Sequence, residues 1–133
     1  MKITLAEAFE ALDALGQCAR SKKLSARDAF RLAVIIQSIE THTKPAAATR
    51  NQLFEEMSQE VKTGVVDAKT REEKIERRIP KDKQTEFTRQ MEELFAEEIE
   101  VKPLPWEVAK NLEIDGLEAK ALLPILTGYD DAV

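Results

Sequence analysis

Cysteine is nearly absent from this sequence. Cys18 stands alone, so no internal disulfide can form and a reducing, intracellular setting is expected. Its helical, uncharged surroundings suit a small, partly buried side chain better than a reactive thiol, which needs basic or helix-N-terminal neighbours. Histidine is equally scarce. His42, flanked by Thr41 and Thr43 and distant in sequence from Cys18, has no companion with which to hold a transition metal or to serve as a base. Four glycines supply no phosphate-cradling loop, and no Asp-rich calcium loop occurs. No apolar run approaches the roughly 20 residues of a membrane span, and the first residues lack the basic-then-apolar order of a secretory signal. These absences lead to the expectation of a non-catalytic protein with no cofactor, no bound metal, no small-molecule substrate and no membrane partner, resident in the cytoplasm where it is made.

What is present fits one soluble domain over residues 1–133: 43% hydrophobic and 34% charged side chains, enough for a core under heavily solvated polar faces. Charge is unevenly placed. Residues 1–68 carry nine basic and nine acidic side chains, residues 69–83 seven and four, and residues 84–133 four and twelve, which sum to the net −5. A balanced front, a small basic island and an acidic rear follow one another.

Helical periodicity dominates. Thr4 and Glu7 have the spacing of a capping box, and Leu5, Phe9, Leu12, Leu15 and Ala19 predict a helix over about 5–20. Ser25 is the next cap, ahead of a stripe of Ala29, Phe30, Ala33, Ile36 and Ile39 widened by Leu32, Val34 and Ile35, which predicts the most buried helix of the fold. Pro45 should interrupt or bend that helix, with Thr43 capping its continuation. Leu53, Phe54, Met57 and Val61 extend the pattern to Gly64, a plausible helix stop. Residues 62–80 have few apolar anchors and read as a polar arm or irregular connection. Pro80 then opens a helix over about 81–97, marked by Phe87, Met91, Leu94 and Phe95; a short helix starts at Pro105, and Asp115 caps a last one that ends at Gly128.

One segment breaks this rhythm. Glu98-Ile99-Glu100-Val101-Lys102 alternates strictly, as a strand does, and a lone strand needs a partner in the chain or on another molecule. Within the chain, residues 2–5 ("KITL") are the first choice and residues 74–79 ("KIERRI") the second. The fold class expected is therefore mainly α: a compact domain of about five helices with a small two- or three-stranded β element near the chain ends.

The basic island is the most unusual charge feature. Lys69, Arg71, Lys74, Arg77 and Arg78 suit an acidic partner, and the absence of aromatics from residues 62–86 favours protein over nucleic acid. The plainer reading is a solvated arm whose charge Glu72, Glu73, Glu76 and Asp82 half neutralise. Ile99 and Val101 of the alternating segment, and Trp106 as the sole tryptophan, complete the set of partner-contact candidates, although a lone tryptophan at a turn more often covers a small core.

The order of these features resembles a group of small phage-encoded proteins of poorly defined role. There a short lysine-led strand such as "MKITL" opens a helix, and a long second helix such as "SARDAFRLAVIIQSIETH" follows. A polar arm comes next, and then a segment such as "IPKDKQTEFTRQMEELFAEEIEVKPLPWEVAKNLEIDGLEAKALLPIL". The likeness covers most of the chain through its hydrophobic pattern; here the arm is more basic and Pro45 interrupts the long helix. It implies a phage or prophage origin and a non-catalytic role. Two functions follow as expectations. One is a structural or assembly protein of a phage particle, present in several copies and held by arm and strand contacts between neighbours. The other is an accessory protein that binds a host enzyme and blocks or redirects it, its acidic rear imitating nucleic-acid charge.

Overall fold

The computed structural model describes residues 1–20, 24–66, 68, 69, 71–112 and 115–128, apart from the side chain of residue 63. The chain is mainly α. In order come β1 (Lys2–Thr4), α1 (Leu5–Ala19), α2 (Ala26–Met57), β2 (Gln59–Val66), β3 (Glu73–Arg78), α3 (Lys81–Phe95), β4 (Glu98–Glu100), β5 (Leu104–Pro105), α4 (Trp106–Ala109), α5 (Gly116–Leu122), a 3-10 turn (Leu123–Ile125) and β6 (Leu126–Thr127). They form two compact units, one of Met1–Ala46 with Leu94–Val133 and one of Ala47–Glu93.

The first unit holds the core. β1 and β4 pair antiparallel with Ile3 opposite Ile99, and the ladder continues as Leu5 N–H donates to the Glu97 carbonyl (2.9 Å) and Val101 N–H to that of Met1 (3.0 Å). The alternating segment thus finds its partner in the first residues of the chain. Thr4 leaves the strand and caps α1: its Oγ1 accepts from Glu7 N–H (3.2 Å) while Glu7 Oε1 accepts from Thr4 N–H (3.0 Å), so two donors without helical partners are satisfied reciprocally. α1 buries Leu5, Ala8, Ala11, Ala14, Leu15 and Cys18, and its small residues let other backbone approach closely. Leu32, Ile39, Leu104, Val108 and Ile125 close the core, and β5 pairs parallel with β6 beside it. At the other end of the unit Asp115 and Glu118 form a second capping box on α5.

α2 differs from its expected form in three respects. It runs unbroken for 32 residues with Pro45 inside it, so the missing donor is tolerated at an exposed position. Thr43 is buried within it instead of capping a continuation, and His42 is likewise mid-helix. The buried stripe is Leu32, Ile35, Ile39, Thr43 and Ala46, while Ala29, Ala33 and Phe30 face outward, Phe30 being 70% exposed. Apolar residues surround the helix at 29–36, so periodicity alone did not choose the inner face, and α1 rather than α2 is the more buried helix.

In the second unit residues 59–78 contain an antiparallel hairpin in place of an irregular arm. Gln59 pairs with Arg78, Glu60 with Arg77, Val61 with Glu76 and Lys62 with Ile75; an irregularity follows, after which Val66 faces Glu73. Gly64 is no helix stop. It lies in β2 with φ of 75°, a conformation only glycine adopts freely, and its N–H donates to Glu73 Oε1 (2.9 Å). The β structure is therefore not confined to the chain ends. In the same unit Phe54 of α2 and Phe87 of α3 meet edge to face, 6.3 Å between centroids.

Candidate interaction surface

The hairpin collects the basic island. All six residues of β3 are exposed, its only strand partner among the described residues is β2, and Val61, Val65, Val66 and Ile75 put apolar side chains in water. A solvated two-stranded ribbon is marginal by itself, and Arg77 ties this one to α2. Arg77 Nη2 donates to the carbonyls of Glu55 (3.0 Å) and Ser58 (3.1 Å), and its Nε to Ser58 Oγ (2.9 Å), with Glu60 Oε1 at 3.8 Å. The guanidinium thus covers the carbonyl end of α2, where a cation is favoured by the helix dipole. Sequence reasoning placed Arg77 among partner contacts; its bonds are internal. Arg78 pairs with Glu76 on its own strand (2.8 Å). Arg71 sits before β3 with φ of 57°, a left-handed turn position. Lys69 and Lys74 are exposed on the same hairpin.

Two further candidates lie elsewhere. Ile99 and Val101 are 9% and 5% exposed and belong to the core, so the expectation that they meet a partner is corrected: β1 completes their ladder. Trp106, in the first turn of α4, is half-buried against that core.

Sequence reasoning missed a second apolar surface in the first unit, where Phe30, Val34, Pro103 and Pro105 flank Arg31 and Lys102. The signal was the apolar residue at every side of α2. A shallow cleft between α1 and α5 gathers Glu10, Asp13, Asp115, Glu118 and Lys120. Beneath it lies Cys18, whose thiol is pushed up by burial and then by the carboxylates of Glu118 and Asp115. His42 Nε2 lies 3.0 Å from the Glu100 carbonyl, which ties α2 to β4 and engages its ring structurally. Among the described residues no three His, Cys, Asp or Glu side chains converge as metal ligands would, and no helix is long and apolar enough to cross a membrane. No family model, curated protein or solved structure matches this chain.

Proposed function

We propose that this chain is a non-catalytic protein-protein interaction protein that works in several copies as a structural or assembly component of a phage particle. The observation that supports this most is the hairpin: a ribbon exposed along its whole second strand, carrying alternating charge and solvated valine and isoleucine, and anchored to α2 through Arg77. Such a ribbon contributes little burial to the fold that bears it, whereas its open edge and mixed surface suit contact with another polypeptide. The phage setting comes from the pattern-level resemblance alone. Mass spectrometry of purified particles tests it: the polypeptide should be present at several copies per particle, and replacing residues 59–78 by a short Gly-Ser linker should abolish its incorporation. Absence from particles, with one-to-one capture of a single host enzyme instead, would make it an accessory inhibitor.

A further inference from the structure

The outer edge of β3 carries a pattern that is complementary to itself. Residues 72–78 read Glu-Glu-Lys-Ile-Glu-Arg-Arg. Laid antiparallel against a second copy with Ile75 opposite Ile75, Lys74 faces Glu76, Glu73 faces Arg77 and Glu72 faces Arg78, and each pairing recurs on the other side of the two-fold axis. Opposite signs then face each other at every charged position, with isoleucine on isoleucine at the centre; Arg77 and Glu73 keep their bonds to α2 and Gly64 within each chain, so Lys74–Glu76 and Glu72–Arg78 are the pairs that set the alignment. Neighbouring registers lose this. Hydrogen-bonding direction and side-chain face alternate along a strand, so two antiparallel copies can pair only with like residues on the two-fold axis; the adjacent registers centre on Lys74 or Glu76, and each makes that residue face its own copy. Opposite charges directly across a ladder stabilise it and like charges oppose it, so the pattern selects one register from these three.

We infer that two copies of this chain join through β3, paired antiparallel about Ile75, into a four-stranded sheet of order β2-β3-β3-β2. This rests on reading the hairpin as the contact element and specifies its partner as a second copy of the same chain. The contact is isologous, each edge serving as its own complement, which closes a dimer and uses up both outer β3 edges. It brings the two Ile75 side chains, each 58% exposed in one chain, against each other. A charged edge strand ordinarily repels unselected neighbours; here the same charges admit one partner in one alignment.

Sedimentation equilibrium on the intact chain and two charge variants tests the inference. Lys74→Glu and Glu76→Lys each place like charges in both symmetric pairs of a homodimer, yet an equimolar mixture of the two restores opposite charges at every position. The unmodified chain should dimerise. Each variant alone should dissociate at a concentration about tenfold or more higher, and the mixture should recover a heterodimer near the original affinity. Circular dichroism checks that each variant is folded, and β3 amide exchange in the unmodified chain should slow as concentration rises. An unmodified chain that stays monomeric overturns the inference while leaving incorporation into particles open to its own test. A dimer indifferent to both substitutions, or a mixture that does not recover, overturns the register.

Discussion

Arg77 holds the end of α2 from a strand nineteen residues further on, its Nε 2.9 Å from Ser58 Oγ and its Nη2 3.0 Å from the Glu55 carbonyl. Ser58 is only 7% exposed, so the guanidinium satisfies a nearly buried hydroxyl as well as terminal carbonyls of the helix. The neighbouring Arg78 pairs with Glu76, in solvent. Adjacent arginines of one basic island therefore have different roles.

Separate substitutions should expose that difference. Arg77→Ala should lower stability by about 1–2 kcal/mol, since hydrogen bonds from a charged donor are lost and their acceptors are left partly covered. Arg78→Ala should change it by less than about 0.5 kcal/mol, as exposed pairs do. Urea denaturation followed by circular dichroism measures both, and equal effects would remove the special role of Arg77.

The inner face of α2 allows a second comparison. Leu32→Ala should cost about 2–5 kcal/mol, because Leu32 is 1% exposed and its loss leaves a cavity. Phe30→Ser, at a side chain 70% exposed, should cost less than about 0.5 kcal/mol despite removing the larger group. Denaturation midpoints in the reverse order would show that the helix packs through its other face.

On α3 the Arg89 guanidinium bonds Glu86 through Nε and Nη2 and Glu93 Oε1 through Nη1 (2.6 Å). Hydrogen bonds from Arg89, then from Gln90, hold the Glu86 carboxyl below the ordinary glutamate range. Because the folded value lies beneath the unfolded one, the stabilisation is complete above the unfolded value of about 4.3 and is lost as pH falls through the lowered folded value. Carboxyl NMR titration should find Glu86 depressed, and Arg89→Gln should return it upward; an unchanged titration would contradict the pairing.

Cys18 offers a probe of the core. It is 1% exposed, and its thiol is pushed up by burial and nearby carboxylates, so a thiolate-selective reagent should label the native chain at least about 100-fold more slowly than the chain in denaturant. Comparable rates would mean that α1 and α5 open freely around it.

Local rules made part of this architecture legible. Thr4 with Glu7 at the start of α1, and Asp115 at the start of α5, act as their spacing predicts because a cap depends on residues within one turn. The pairing of Ile3 with Ile99 was readable because both strands alternate across a buried face. The hairpin was legible only in part. Residues 74–79 offer only a second choice of strand partner for the alternating segment, since β3 is exposed on every residue and lacks a clear apolar face, while β2 is hidden because Val61 falls at helical spacing from Met57. The internal role of Arg77 was hidden for the same reason, since it depends on a turn returning the chain to the end of α2. The self-complementary charges of residues 72–78 were present in the sequence throughout, but they carry meaning only once those residues are known to form an edge strand.

Disulfide scanning along β3 tests most directly whether that edge is the contact between copies. Cysteine placed singly at positions 74, 75 and 76, with buried Cys18 left in place, samples each candidate axis; antiparallel residues directly opposite lie about 4.5–5.5 Å apart at Cα, within disulfide reach. Under mild oxidation Ile75→Cys should form a covalent dimer readily while Lys74→Cys and Glu76→Cys lag well behind. Equal rates at the three positions, or no cross-link at Ile75→Cys in protein shown to be folded, would contradict pairing about Ile75.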